Sequence, residues 1–163
     1  ACEGKVPFII SFIDDLLENN QKVIVFCHHT FVFDSLLERY KDIAVGIKGG
    51  IEAKERQEII DKFQNDEGTK IFIGTIRACG EGITLTASST VVFSEYDWTP
   101  ARMIQAESRA HRIGQKNVVN SYWFALQSSI DEMFIEKLVN KMRIFPGVMQ
   151  SSSDEDEIFE LLK

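Results

Sequence analysis

The feature that most constrains the fold is an alternation of short apolar runs with amphipathic stretches of helical period. Continuous apolar runs, which are typical of strands buried on both faces, occupy residues 22–27, 70–74 and 90–93. Helical spacing of apolar residues predicts helices over 6–18, 31–40, 52–63, 101–112 and 130–142, and further strand patterns lie near 43–47 and 118–125. This order predicts an α/β fold in which helices cover both faces of a mostly parallel central sheet, in three α/β/α layers.

A glycine-containing loop follows one of the predicted strands, at the edge of a parallel sheet where ligands bind. Its sequence, GEGITL, covers residues 80–85. Gly80 and Gly82 have no side chains, so backbone amides there can approach a phosphate group or a nucleic-acid backbone closely. An ordinary tight turn between a strand and a helix explains the same residues equally well.

The segment QAESRAHRIGQ, residues 105–115, is the most informative stretch of the chain. On a helix that begins near Pro100, Gln105 and Arg109 lie four residues apart on one face, and Arg112 lies one turn further on. Arginine presents a planar, permanently protonated fork that suits phosphate oxygens. From the residues alone, an ordinary basic helix exposed to solvent is the alternative interpretation.

The net charge of the chain hides an uneven distribution of acidic and basic residues. The 163 residues carry a formal net charge of −7, which at first disfavours a nucleic-acid partner. Residues 150–163, with five acidic residues and one basic residue, carry −4 of this net charge, however, whereas residues 101–116 are net basic. We predict one domain over residues 1–142 and a flexible acidic tail over 143–163, which is a candidate site for a protein partner.

Three kinds of site are missing from the sequence. No GxxxxGK[ST] phosphate loop occurs, so the chain cannot by itself cradle a nucleoside triphosphate in that manner. The cysteines form no CxxC pair, and Cys27, His28 and His29 are interpreted as the start of a loop, so we predict no metal site. No apolar run approaches the roughly 20 residues of a membrane-spanning helix, so we predict no membrane partner.

Several segments together resemble a single family. QAESRAHRIGQ is similar to motif VI of superfamily 2 helicases, in the form found in SWI/SNF-type DNA translocases. Residues 22–40 resemble motif IV of that family, residues 47–64 its GxxxxxxR…F segment, residues 75–100 motif V with its extension, and residues 128–141 the terminal helix. More narrowly, residues 82–100 followed by QAESRAHRIGQ resemble the HARP-like annealing helicases, which rewind DNA and remodel stalled forks.

The resemblance implies the C-terminal RecA-like lobe of a two-lobed DNA translocase, which binds ATP between its lobes. It implies that Arg109 and Arg112 reach across the cleft to the γ-phosphate and that one of them is the arginine finger. Gln105 would position the arginines or the attacking water. The residues expected to couple the state of the nucleotide to the grip on DNA are Gly80, Glu81 and Gly82.

The resemblance also implies a DNA-binding surface. Thr75, Lys48 and Gly49 would touch the phosphodiester backbone. Trp98 would contact DNA beside the tracked strand, and Arg77 would add positive charge there.

The implied ligands are ATP with Mg²⁺, held mainly by an N-terminal lobe in cis, and double-stranded or forked DNA. The isolated lobe is expected to be inactive, and the whole protein to be nuclear in a eukaryote and otherwise cytoplasmic or associated with the nucleoid.

Two alternatives stay open. The second lobe of an RNA helicase shares the fold and the arginines, although HRIGQ and DWTP favour the DNA group. A non-catalytic nucleic-acid or protein interaction module would keep the fold without the ATPase.

Overall fold

The computed structural model describes residues 2–80, 82–125, 131–133 and 135–137. The chain divides into two compact units, Ala1–Phe124 and Ala125–Lys163. The helices of the first unit are α1 (Cys2–Glu18), α2 (Thr30–Arg39), α3 (Ala53–Asn65) and α4 (Pro100–Glu107). Its strands are β1 (Val23–Cys27), β2 (Ala44–Ile47), β3 (Ile71–Thr75), β4 (Thr90–Phe93) and β5 (Asn120–Trp123). In the second unit, residues 131–133 and 135–137 are helical.

The five strands form one parallel sheet in the order β2-β3-β1-β4-β5. The central strand is β1, whose Val25 is in register with Ile73 of β3 on one side and Val92 of β4 on the other. Because all neighbouring strands are parallel, their carboxyl ends open at the same edge of the sheet, which we call the carboxyl edge. The predicted parallel sheet is therefore confirmed, and its loops after β1, β2, β3 and β4 all begin at this edge.

Helices α1 and α2 pack on one face of the sheet. Their apolar side chains meet alternate residues of β1, β3 and β4, as the two-residue period of a strand requires. Full burial of one such side chain stabilises the fold by about 1.5–3 kcal/mol. The buried members of this cluster are Ile9, Ile13, Val23, Val25, Cys27, Val32, Phe33, Leu36, Tyr40, Ile71, Ile73 and Val92.

Helix α3 packs on the opposite face. The ring of its Phe63 lies 5.6 Å, between centroids, from the ring of Phe72 in β3. On the same face of the sheet, Phe26 of β1 and Phe93 of β4 have stacked rings 5.5 Å apart. Together with α1 and α2, this packing forms the three α/β/α layers that the sequence predicts, and the fold is RecA-like.

The predicted helix over 101–112 is wrong in its last turn, because α4 ends at Glu107. The carbonyl oxygen of Arg109 would bond residue 113 if the helix continued, but it accepts a hydrogen bond from the amide of Leu85 at 2.9 Å instead. A tight turn closes with the Gln115 amide donating to the Arg112 carbonyl at 2.9 Å, and Gly114 adopts a φ of 104° there. Arg109 and Arg112 therefore lie in turns rather than along one helical face.

Two predictions concern the end of the chain. Helical structure at residues 131–133 and 135–137 agrees with the predicted terminal helix over 130–142, whose remaining residues lie outside the described ones. The predicted acidic tail over 143–163, and with it the domain boundary at residue 142, also lies outside them. Within the described part of the chain, no helix is both long and apolar enough to cross a membrane.

Candidate nucleotide and nucleic-acid sites

The predicted nucleotide-site residues lie where two segments run side by side. One is the loop of residues 80–88, which follows β3, and the other is the segment of residues 105–115, which includes the end of α4. The loop is anchored in the core by Ile83 and Leu85, both of which are fully buried. Gly82 stands between them and Gly80 with a φ of 68°, which disfavours any side chain at this position. Glu81, a predicted site residue, lies outside the described residues.

Arg109 is held inside the protein. The residue is 7% exposed to solvent, and its guanidinium donates a short hydrogen bond through Nη2 to the carbonyl oxygen of Gly80. Its own carbonyl oxygen accepts from the Leu85 amide at 2.9 Å. Arg109 therefore contacts the 80–88 loop through both its side chain and its backbone.

Arg112 contacts the same loop from a solvent-exposed position. Its Nη1 atom donates to the carbonyl oxygen of Ile83 at 3.1 Å and lies 3.0 Å from the hydroxyl oxygen of Thr84. Two arginines, one buried and one exposed, thus contact the same loop. Such a pair of positive forks suits a polyanionic ligand such as a nucleotide phosphate.

Gln105 lies on α4 and is exposed. A Cβ atom placed on Gly80 would lie 3.8 Å from its amide oxygen Oε1, so Gln105 approaches the loop near the carbonyl that Arg109 contacts. The structure therefore gathers four of the predicted nucleotide-site residues: Gln105, Arg109, Arg112 and Gly80.

Two glutamines that sequence reasoning missed brace this arrangement. The amide nitrogen of Gln115 donates to the carbonyls of Ser88 at 2.8 Å and Thr86 at 3.3 Å. Gln64 of α3 donates to the Thr86 hydroxyl at 3.0 Å and accepts from the Ala87 amide at 2.8 Å. Gln115 belongs to the recognised motif, whereas nothing local in the sequence indicates that Gln64 meets a loop 22 residues further along.

The predicted DNA-binding residues lie at or just after the ends of three different strands, at the carboxyl edge. Trp98 is 65% exposed, and the side chain of Arg77 is 71% exposed. Lys48 pairs with Asp34 of α2, with 2.8 Å between Nζ and Oδ1. The remaining two are Gly49, which is exposed beside Lys48, and Thr75, of which 7% is exposed. Little of Thr75 is therefore accessible for its predicted contact with DNA in this conformation.

A buried aspartate lies next to Trp98, and sequence reasoning missed its role. Asp97 accepts from the Thr99 amide at 2.9 Å and from Arg102 Nη1 at 3.1 Å, and Arg77 Nε lies 3.9 Å from its Oδ2. Burial alone would raise the pKa of Asp97, but these hydrogen bonds from Thr99 and Arg102 outweigh burial and hold the pKa below its usual range. The signal in the sequence was an acidic residue placed shortly after a buried strand.

A second buried acid ties β4 to the loop after β1. Glu95 Oε2 accepts from the backbone amides of His28 and His29, each at 2.8 Å, and its Oε1 lies 2.7 Å from Nδ1 of His29. These histidines begin a loop, as predicted, but no local sequence pattern indicated that the Glu95 carboxylate faces them. Among the described residues, no group of His, Cys, Asp and Glu is suited to hold a metal ion.

Comparison with known proteins places this architecture in a family. Residues 4–114 match the model of the helicase conserved C-terminal domain. The chain belongs to this family. This match confirms the resemblance drawn from QAESRAHRIGQ and its companion segments.

Relatives of this helicase C-terminal domain include two groups of named proteins. The SWI/SNF-related matrix-associated actin-dependent regulator of chromatin subfamily A-like protein 1 of Drosophila melanogaster is 33% identical over 151 residues, covering 91% of this chain and 20% of that protein. The DNA annealing helicase and endonuclease ZRANB3 of Homo sapiens is 34% identical over 156 residues, covering 93% of this chain and 14% of that protein. The chain thus spans a small part of the length of either relative.

A solved structure has the same fold. The crystal structure of the C-terminal part of the Fun30 ATPase domain superposes with a TM-score of 0.75 at 29% sequence identity. The match covers 82% of this chain and 44% of that one. This helicase C-terminal domain therefore has the architecture of the C-terminal part of a known ATPase domain.

Proposed function

We propose that this chain is the second motor lobe of an ATP-dependent double-stranded-DNA translocase of the annealing-helicase type, which remodels chromatin or replication forks. The observation that carries the proposal is the joint attachment of Arg109 and Arg112 to the 80–88 loop. Family membership supports a motor role, and the relatives' names, which include an annealing helicase and a regulator of chromatin, support DNA as the track.

The two arginines have different tasks in this proposal. Arg112 is the arginine finger, because its guanidinium is exposed and contacts the loop through one nitrogen. Arg109 is buried against Gly80, so it holds the 80–88 loop beside the γ-phosphate. Its positive charge lies beneath that loop and attracts the phosphate from there. Gln105, on the exposed side of α4, positions the attacking water or the arginines.

The DNA track runs along the carboxyl edge. Lys48 and Gly49 after β2, Arg77 after β3 and Trp98 after β4 contribute to it, together with Thr75, the last residue of β3. The net charge of −7 does not oppose this role, because a two-lobed motor shares its DNA track between lobes and local charge governs phosphate binding.

ATP and Mg²⁺ would be held mainly by an N-terminal lobe joined in cis. The chain lacks a phosphate loop, and its described residues offer no cluster of acidic or imidazole ligands for a metal ion. We therefore expect the isolated lobe to bind ATP and DNA weakly and to hydrolyse no ATP. In the whole protein, which we expect to act in the nucleus of a eukaryote, closure of the lobes on ATP and opening after hydrolysis would alternate their hold on one strand.

The test is the ATPase rate of the full-length protein with double-stranded DNA, in the wild type and in Arg112→Ala. We expect the substitution to lower the DNA-stimulated rate by about 10³–10⁵-fold, the range in which arginine fingers act. The matched control is Arg39→Ala, because Arg39 is an exposed arginine of α2 that pairs only loosely with Asp14, at 3.5 Å.

Each other outcome selects a different function. An unchanged rate in Arg112→Ala removes the finger role. Stimulation of the wild type by double-stranded RNA and not by DNA indicates the second lobe of an RNA helicase. A wild type without any nucleic-acid-stimulated hydrolysis indicates a non-catalytic interaction module.

A further inference from the structure

The contact between Arg112 and Thr84 assigns a role to a residue outside the predicted site. Arg112 Nη1 lies 3.0 Å from the Thr84 hydroxyl oxygen and 3.1 Å from the Ile83 carbonyl oxygen, so one nitrogen is shared by two neighbouring acceptors. We propose that Thr84 is a positioning residue, whose hydroxyl orients the guanidinium of Arg112 toward the nucleotide before the transition state forms. This inference rests on the proposed finger role of Arg112.

Thr84 is a rigid acceptor because the residues on both sides of it are fixed. Ile83 and Leu85 are fully buried, and the Leu85 amide donates to the Arg109 carbonyl at 2.9 Å. Thr84 itself is half-buried, and its branched Cβ restricts the rotation that sets the position of the hydroxyl. The hydroxyl therefore stays in place while the longer arginine side chain is held against it.

The contact with Thr84 leaves the Nε and Nη2 atoms of the guanidinium available to bind a phosphate group. Within residues 2–80 and 82–125, both acceptors of Arg112 are reached through Nη1, and neither Nε nor Nη2 has an acceptor. Those two nitrogens can therefore donate together to two oxygens of one phosphate group, which is the preferred arginine–phosphate geometry.

If the Arg112 guanidinium is oriented before the transition state forms, the chemical step becomes more favourable. A free arginine side chain samples many rotamers, and its ordering would have to accompany the formation of the transition state. With Nη1 already bound, less freedom is lost when the other nitrogens meet the γ-phosphate. Loss of the hydroxyl should therefore lower kcat and change the KM for ATP little, since the contact with the phosphate strengthens in the transition state.

The experiment uses the full-length protein and measures DNA-stimulated ATP hydrolysis. We expect Thr84→Val, which replaces the hydroxyl by a methyl group of similar size, to lower kcat by about 10-fold. Thr84→Ser, which keeps the hydroxyl, should restore kcat to within about twofold of the wild type. The matched control is Thr69→Val, since the Thr69 hydroxyl, in the turn before β3, bonds Asp66 and not Arg112. Thermal unfolding of each variant accompanies the kinetics, and Thr84→Ala replaces Thr84→Val if the latter does not fold.

A double variant separates this inference from the proposed function. In the Arg112→Ala background, measured by single-turnover hydrolysis, Thr84→Val should cause no further loss, because there is no guanidinium left to orient. An additional loss of about 10-fold in that background, or an unchanged kcat in Thr84→Val alone, overturns the positioning role while the finger role stands. An Arg112→Ala variant as active as the wild type overturns both.

Discussion

At the scale of single residues, the environment of each arginine at the candidate site depends on a few polar contacts. Arg109 and Arg112 are three positions apart, yet one guanidinium is buried against Gly80 and the other is exposed beside Thr84. Both arginines could be recognised from the sequence as phosphate-binding candidates. The proposed division into a loop-holding arginine and an arginine finger could not be predicted, because the burial of a side chain depends on which loop lies above it.

Trp98 supports a prediction at this scale. It is 65% exposed beside the carboxyl edge, so Trp98→Ala removes little packing within the lobe. In the full-length protein we expect this substitution to impair DNA translocation more than ATP hydrolysis, because Trp98 is proposed to contact DNA and not the nucleotide. A triplex-displacement assay on double-stranded DNA and an ATPase assay measure the two activities. Phe8→Ala is the matched control, as Phe8 is 64% exposed on α1. Equal loss of both activities in Trp98→Ala would remove its DNA role.

Asp97 supports a prediction about pH. Its folded-state pKa lies below the unfolded value of about 3.9, so the ionised carboxylate stabilises the fold above that pH. This stabilisation is lost as pH falls through the folded-state pKa. We expect Asp97→Asn to lower the unfolding free energy by about 1–3 kcal/mol at neutral pH, and the difference from the wild type to shrink below about pH 4.

Urea unfolding of the 163-residue chain at a series of pH values measures this difference. The control is Asp42→Asn, because Asp42 is exposed. A stability gap for Asp97→Asn that stays constant across the whole pH range would mean that the charge of Asp97 does not stabilise the fold.

At the scale of elements, hydrophobic period predicted every strand and helix of the first unit. The runs at 22–27, 70–74 and 90–93 became β1, β3 and β4, because a strand covered on both faces needs apolar residues at every position. The end of α4 could not be predicted in this way. The helix stops short because the carbonyl oxygen of Arg109 accepts a hydrogen bond from the amide of Leu85, a residue distant in sequence.

Substitution of Gln115 tests how far its side chain stabilises the packing of the 105–115 segment on the 80–88 loop. Its side chain satisfies the carbonyls of Thr86 and Ser88, so Gln115→Ala leaves them without that donor. We expect the variant to lose about 1–3 kcal/mol of unfolding free energy, as for other polar groups deprived of a partner. Gln57→Ala, at an exposed position where the amide donates to Asp61, should change stability by less than about 0.5 kcal/mol. Equal effects in chemical unfolding would show that Gln115 does not brace the loop.

At the scale of the whole molecule, the order of the strands decides which residues meet. The order β2-β3-β1-β4-β5 puts the loops after β1 and β4 side by side, although more than 60 residues separate them in the chain. This neighbourhood brings His28 and His29 against Glu95. Arg77, which follows β3 on the other side of β1, also lies close to Asp97 after β4. No local pattern contains this information.

The reactivity of two buried cysteines toward a thiol reagent tests whether the sheet is packed as described. Cys27 in β1 and Cys79 after β3 are fully buried, and burial raises the pKa of both thiols, that of Cys79 to about 12. Because the thiolate is the reactive form, both should react with a thiol reagent at least about 10³-fold more slowly in the native state than in urea. Mass spectrometry of a Cys2→Ser variant measures this protection. Modification of either cysteine at the unfolded rate would contradict the described core.

The sequence by itself determined the α/β class, the parallel sheet, the family and the candidate arginines, since these depend on local periodicity and on a contiguous motif. Only the tertiary structure decided that Arg109 is buried, that Arg112 rests on Thr84, and that Asp97 and Glu95 organise the carboxyl edge. The physical reason is that burial, ion pairing and hydrogen bonding of a side chain depend on neighbours supplied by distant segments, which the order of the strands brings together.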